Sequence, residues 1–125
     1  MKIANTLSIL LGTVLGIISA QWIFSPESAA QSLSMVCLEG DARNTQVRDL
    51  TAFFLGTSIM SILSFVTKQY QWIFSVGLIF LIAGIFNVLT AINYETEIAI
   101  ASLISELIFT SMAFTAAYIY KTKNL

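Results

Sequence analysis

The chain has 125 residues, which is enough for one domain. Charged residues make up 10% of it and hydrophobic residues 57%, whereas an ordinary soluble domain is about 25% charged. A soluble protein of this composition would have too little polar surface to cover itself, so lipid is the expected solvent. The net charge of −1 excludes a basic nucleic-acid surface. With no histidine and a single cysteine, Cys37, the chain can form neither an intrachain disulfide nor a zinc site of His and Cys ligands.

Four apolar stretches predict four transmembrane helices. Each has close to the length of about 20 residues that a helix needs to cross a hydrocarbon core of roughly 30 Å. None contains proline, and none alternates with the period of two that is typical of a membrane β-barrel. Inside lipid the backbone must satisfy its own hydrogen bonds, which favours helices. The predicted spans are 4–24, 48–67, 70–92 and 98–120, and the expected fold is an all-α four-helix bundle that forms one integral membrane domain over residues 1–125. The second helix is expected to begin before its span, near Asp41 as N-cap, because the polar residues 41–49 contain neither glycine nor proline.

The first span begins shortly after Lys2 and could instead be a signal peptide that is cleaved near Ala20. Its apolar run is long for a signal peptide, so we expect the span to be retained. The Lys and Arg distribution then predicts that both chain ends face the cytoplasm, where positive residues concentrate. The expected cytoplasmic side carries Lys2, Lys68, Lys121 and Lys123, and the other side carries Arg43 and Arg48.

The pentapeptide QWIFS occurs twice, at Gln21–Ser25 and at Gln71–Ser75. In the predicted topology the first copy ends span one and the second begins span three, so the copies lie at opposite interfaces. A duplicated unit would place them at equivalent depths. Because Trp favours the interfacial layer of a bilayer, we interpret both copies as interface anchors. Four tyrosines are expected at the same two levels: Tyr70, Tyr94, Tyr118 and Tyr120.

The connection between spans one and two is the only sizeable segment expected outside the bilayer. Ser25 is a suitable N-cap and Pro26 a suitable first helical residue, while Gly40 is the predicted stop. Apolar residues recur between them at helical spacing, which predicts an amphipathic helix over residues 26–37. We expect it to be a structural cap on the bundle, with a lid over a cavity as the alternative. Cys37 is expected to be a buried, inert thiol on its apolar face.

Small residues at spacings of four or seven predict faces on which the helices approach closely. Apolar burial cannot draw helices together in lipid, so close backbone contact must help. We expect these faces to lie inside one bundle, with a homodimer seam as the alternative. They are Ser8, Gly12, Gly16 and Ala20 in span one, Ala52 and Gly56 in span two, and Gly77, Gly84 and Ala91 in span three.

Glu106 is the feature that most suggests chemistry. It lies eight positions past Ile98, so it is about 12 Å into the hydrocarbon core. A charged side chain at the bilayer centre costs about 2.5–3.5 kcal/mol on insertion scales, so such a residue normally faces the bundle interior and has a partner. The predicted intramembrane polar cluster is Glu106, Asn87, Arg48, Ser102 and Ser105.

Arg48 is the natural counter-ion of Glu106, but its side chain reaches the carboxylate only if span two sits deeper or tilts, so direct pairing is left open. Two roles of Glu106 follow. In the structural role, which we favour, it is protonated or paired and ties span four to spans two and three. In the functional role, it lines an outward-facing polar pocket for a ligand or a proton.

The pattern resembles a group of small bacterial four-helix membrane proteins known as domain-of-unknown-function family 4345, and more loosely the DoxX-like proteins. The likeness rests on Pro26 soon after span one, Arg48 before a glycine-containing span two, and the carboxylate Glu106 in span four. Ala52 departs from it, because glycine is expected there and only Gly56 remains. The resemblance implies the fold and little else, although it favours the Arg48–Glu106 pair as a shared scaffold feature. The expected location is a bacterial inner membrane.

The chain lacks a nucleophile–base pair, a phosphate loop and a metal-ligand constellation, so we expect neither an enzyme nor a cofactor. The main prediction is an accessory or scaffold subunit that packs against a larger membrane partner. The alternative is binding or transport of a small lipophilic ligand or a proton, in a pocket beneath residues 26–37 with Glu106 at its base. Membrane lipids are expected partners in either case.

Overall fold

The computed structural model describes residues 1–123, and this range consists of helices and short connections without a strand. Its helices are α1 Lys2–Phe24, α2 Pro26–Ser32, α3 Gly40–Thr67, α4 Tyr70–Asn93 and α5 Ile100–Lys123. All but α2 are long and apolar enough to cross a membrane. The predicted all-α four-helix membrane fold, with one short extra helix in the first connection, is confirmed. The chain is an integral membrane protein.

The four long helices form a ring in which every neighbour is antiparallel. α1 packs on α3, α3 on α4, α4 on α5, and α5 on α1. The tightest pairs are α1 with α3 and α4 with α5, whereas the other two seams are looser. We call the end of the bundle that carries α2 and the 94–99 connection the α2 end. The opposite end, which holds both chain ends and the turn from α3 to α4, is the terminal end.

The first connection departs from its predicted boundaries. Ser25 is the N-cap of α2 and Pro26 its first residue, as predicted, but α2 ends at Ser32 rather than at residue 37. Gly40 does not stop α2. It begins α3, and its φ of +63° lies in the left-handed region that glycine enters without strain.

Gln46 of α3 holds the residues between α2 and α3 in a non-helical path. Its Oε1 accepts a hydrogen bond from the Leu38 N–H at 2.9 Å, and its Nε2 donates to the Val36 carbonyl at 3.1 Å. Backbone groups of this stretch that lack helical partners are therefore bonded to a side chain. Cys37 lies in this non-helical stretch and is partly exposed, so its predicted place on a helix face was wrong.

The two QWIFS copies have different environments. Trp22 is 0% exposed and packs in the core near Ala29 and Ala30 of α2, whereas Trp72 is 39% exposed on the outside of α4. The anchor prediction for Trp22 is therefore wrong. α2 folds back on the end of α1 and covers the ring that would otherwise meet the interface.

Close helix contact follows the predicted small residues in α1 and α4. Ser8 and Gly12 are buried, while Gly16 and Ala20 of the same stripe are half-buried. The Ser58 hydroxyl of α3 donates a hydrogen bond of 2.6 Å to the Gly12 carbonyl of α1. The same hydroxyl oxygen lies 3.2 Å from the position that a Cβ at Gly16 would occupy. In α4, a Cβ at Gly77 would lie 2.6 Å from the Phe114 ring of α5. The residues Gly84 and Ala91 are buried on the same helix.

The prediction that Ala52 and Gly56 form a close-packing face in span two was wrong. Ala52 is exposed, and a Cβ at Gly56 would meet nothing within 4 Å. The buried polar positions of α3 are instead mostly hydroxyl side chains, which satisfy themselves at close range: Thr57, Ser58, Ser61 and Ser64. Thr57 and Ser61 donate to carbonyls of their own helix, and Ser58 donates to Gly12 of α1. Ser64 donates to the Gln69 carbonyl and accepts from the Ile73 N–H, at the start of α4.

The terminal end is tied together through Asn5 of α1. Its Oδ1 accepts hydrogen bonds from the Lys68 ammonium and the Tyr120 hydroxyl, both at 2.9 Å. These contacts join α1, the turn after α3 and the last turns of α5. Tyr120 is fully buried, so it is not the interfacial tyrosine that was predicted, although Tyr94 and Tyr118 are exposed as expected.

Candidate ligand-binding cleft

A partly open cleft of about 540 Å³ lies at the α2 end of the bundle. Its walls come mainly from α3, α4 and α5, and the end of α2 and the residues after it border the cleft through Ser32, Leu33 and Met35. Thr96 and Glu97 of the 94–99 connection line its exposed side. We refer to this space as the cleft.

Phenylalanine rings form the deep wall of the cleft. Phe53 of α3 meets Phe80 of α4 edge to face, with 5.3 Å between the ring centroids. Phe80 in turn meets Phe109 of α5 at 5.1 Å, and all three rings line the cleft. Phe109 lies nine residues past Ile100, so this aromatic wall is about 14 Å along α5 from the α2 end. The wall closes the cleft near the middle of the bundle.

Glu106 lines the cleft one helical turn above the aromatic wall. It is the seventh residue of α5, about 9 Å below Ile100 rather than the 12 Å predicted, because α5 begins two residues later than the predicted span. The carboxyl group lies over Gly84 of α4: its Oε2 is 3.6 Å from the position that a Cβ there would occupy. Because Gly84 has no side chain, the carboxyl group of Glu106 has room against α4.

The Oε2 atom of Glu106 is shielded from solvent and has no hydrogen-bond partner within residues 1–123. The side chain as a whole is partly exposed, because it borders the cleft. The terminal torsion of a glutamate is broad, so a small rotation presents either oxygen to the cleft. The prediction that Glu106 faces the bundle interior agrees with this geometry.

Asn87 lies at the same level of α4, but its amide is used elsewhere. Its Nδ2 donates to the Ala99 carbonyl and its Oδ1 accepts from the Ala99 N–H, both at 3.1 Å. This pair of bonds fixes the backbone where α5 begins. Asn87 also lines the cleft, as Glu106 does.

The two predicted serines of α5 line the cleft beside Glu106. Ser105 donates back to the Ala101 carbonyl at 3.1 Å, and Ser102 is half-buried one turn nearer the α2 end. Thr90, Thr96 and Glu97 join this polar side of the cleft. None of these three residues was predicted, because only the packing of α4, α5 and the 94–99 connection places them on the same cleft.

Arg48 is not part of the site. Its Nε donates to Asp49 at 3.1 Å, and both side chains are largely exposed. The proposed Arg48–Glu106 pair is therefore absent from the structure. Arg43, the other arginine of this end, bonds to Glu27 at 2.9 Å, to the Leu38 carbonyl at 2.8 Å and to the Cys37 sulfur at 3.3 Å. It holds α2 and the following residues against α3.

No protein-family model, curated protein or solved structure matches this chain. The resemblance to domain-of-unknown-function family 4345 stays a prediction. The shared Arg48–Glu106 pair that this resemblance favoured does not form, because each arginine at the α2 end bonds to an acidic residue of its own neighbourhood. The cleft must therefore be interpreted from its own geometry.

Proposed function

We propose that this protein binds a small lipophilic molecule in the cleft at the α2 end. The observation that supports it is the cleft itself: about 540 Å³, with an aromatic wall at its depth and a few polar groups nearer the exposed side. Ligand pockets typically have volumes of about 300–1,000 Å³ and combine an apolar lining with a small number of polar groups. A lipophilic molecule also concentrates in the lipid bilayer that surrounds the bundle, which raises its local concentration at the cleft.

The proposal includes an orientation. The terminal end carries Lys2, Lys68, Lys121 and Lys123, so it faces the cytoplasm, and the cleft opens toward the other side of a bacterial inner membrane. α2 and the residues after it then cover the cleft from the aqueous side. In this arrangement a ligand enters beneath α2, and the first connection is a lid as well as a structural cap.

Binding of a neutral, environment-sensitive fluorescent probe to the purified protein in lipid nanodiscs tests the proposal. Ala83 of α4 lines the cleft, so Ala83→Phe places a ring in the space that the probe would occupy. Ala52→Phe is the matched control, since it adds the same ring to an exposed position of α3 that does not line the cleft. We expect Ala83→Phe to weaken binding at least tenfold and Ala52→Phe to leave it unchanged.

Two results would oppose the proposal: no saturable binding above that of empty nanodiscs, or equal effects of the two phenylalanines. The same preparation tests the accessory-subunit prediction. If a larger membrane protein copurifies stoichiometrically with the chain after mild solubilisation, and binding of the probe does not saturate, the subunit function would replace the ligand-binding function.

A further inference from the structure

The charged groups of the cleft share one property: both are carboxylates without a positive partner in the part of the chain that the structure describes. Over residues 1–123 the charged side chains that line the cleft are Glu97 and Glu106, and lysine and arginine are missing from the lining. Oε2 of Glu106 is shielded from water and lacks a donor in this described range. A carboxylate oxygen that is shielded from water and lacks a donor is stabilised when a cation or a hydrogen-bond donor reaches it.

The basic residues of the chain are held away from this carboxylate. Arg43 bonds to Glu27, and Arg48 bonds to Asp49. Lys68 belongs to the terminal end, where it bonds to Asn5, and the other lysines of the chain lie at that end too. A rearrangement that brought Arg43 or Arg48 to Glu106 would have to break one of these two ion pairs.

The aromatic wall also favours a positive charge. The faces of Phe rings carry partial negative charge and attract cations, while their bulk binds apolar groups. Phe80 and Phe109 are the rings of the wall from α4 and α5, and Phe109 follows Glu106 by three residues on α5, so it lies on the same side of that helix. Carboxylate and rings therefore border one space.

We infer that the ligand is a lipophilic cation, an ammonium or phosphonium ion with apolar groups, whose charge binds at Glu106 and whose apolar groups pack on the phenylalanines. This inference rests on the proposed function. It predicts strong discrimination between ions of equal size and opposite charge. An anion of the same shape would place two like charges together at Glu106, which is costly in a site of low dielectric.

Tetraphenylphosphonium and tetraphenylborate are a suitable pair of probes, because they have similar size and shape and opposite charge. Each is titrated against the neutral fluorescent probe bound to the full chain in zwitterionic nanodiscs, with empty nanodiscs as the reference for partition into lipid. We expect the cation to displace the neutral probe at a concentration at least tenfold lower than the anion.

Glu106→Gln should reduce this ratio to near one while the neutral probe still binds, and Glu106→Asp, which retains the charge, should preserve most of the ratio. Glu95→Gln is the matched control: it removes the same charge at the same end, and Glu95 does not line the cleft. It should leave the ratio unchanged.

The outcomes separate the two proposals. If the neutral probe binds in the cleft and both ions compete equally in the unmodified chain, the inference about charge is overturned and the ligand-binding function stands. A preference for the cation that survives Glu106→Gln also overturns the assignment to Glu106. If the neutral probe does not bind, the proposed function fails and this inference fails with it.

Discussion

Valine substitutions at Gly12 and at Gly56 separate two glycines that look alike in the sequence. Gly12→Val adds a Cβ that would lie 2.6 Å from Ile62 Cδ1 and 2.9 Å from Ile62 Cγ1, and 3.4 Å from the Ser58 carbonyl oxygen. The Ile62 side chain can move, but the backbone of α3 cannot without separating the helices. Gly56→Val adds its side chain where nothing lies within 4 Å.

The expected difference follows from two contributions. Overpacking of a close contact costs about 1–3 kcal/mol. Separation of α1 from α3 also breaks the 2.6 Å bond from the Ser58 hydroxyl to the Gly12 carbonyl, and an interhelical hydrogen bond in a membrane protein contributes about 0.6 kcal/mol on average. Gly12→Val should therefore lower the free energy of unfolding by roughly 2–4 kcal/mol relative to Gly56→Val.

Reversible unfolding by SDS in mixed micelles, followed by circular dichroism, measures this difference. Because both variants replace glycine by valine in a helix interior, their intrinsic helix propensities cancel. Equal destabilisation by the two substitutions would refute the assigned α1–α3 contact. Greater destabilisation by Gly56→Val would show that α3 presents another face to α1.

Two further predictions concern Asn87 and the tryptophans. Asn87→Leu removes both hydrogen bonds to Ala99, so it should lower the free energy of unfolding by about 1–3 kcal/mol and raise hydrogen exchange at the start of α5. Asn93→Leu, at the exposed end of α4, is the control and should change both quantities little. Equal hydrogen exchange in the two variants would contradict the role of Asn87. In single-tryptophan variants, brominated lipids should quench the fluorescence of Trp72 strongly and that of Trp22 weakly, since only Trp72 is exposed on the outside of the bundle. Equal quenching would show that Trp22 is exposed to lipid and would contradict its burial.

The four spans could be predicted from the sequence because lipid imposes them. A helix must be long enough to cross the hydrocarbon core and must satisfy its own backbone, and both requirements are local properties of the chain. The helix boundaries agree with the predicted spans within a few residues, and α3 begins at Gly40, one residue before the early start near Asp41 that the polar run predicts. The polar residues before Leu50 form the first turns of α3 at the α2 end.

Features that depend on neighbouring helices could not be predicted in the same way. Gly12 and Gly56 have the same type of spacing, but whether a small residue meets another helix depends on how α3 is rotated about its axis. The end of α2 was missed because Gln46, fourteen residues after Ser32, supplies hydrogen bonds that replace helical ones. Trp22 was assigned to the interface because nothing in the pentapeptide indicates that α2 covers it.

The candidate site was predicted in part. Glu106, Asn87, Ser102 and Ser105 were named from the rarity of polar residues in apolar helices, and all four line the cleft. The aromatic wall was missed, because phenylalanine is common in membrane helices and carries no signal of its own. Arg48 was included as the natural counter-ion of Glu106, which it could reach only if span two sat deeper or tilted, but Asp49 beside it offers a closer partner at the exposed surface.

Chemical labelling of two positions on α5 tests the central claim, that a cleft inside the bundle gives access to Glu106. In a Cys37→Ser background, Ser102→Cys places a thiol in the cleft, and Ile104→Cys places one on the exposed outer face two residues away, at nearly the same depth. A membrane-impermeant, positively charged methanethiosulfonate should label Cys at 102 at least tenfold faster than Cys at 104, and tetraphenylphosphonium should slow the reaction at 102. Labelling at 104 that equals or exceeds labelling at 102 would contradict the cleft.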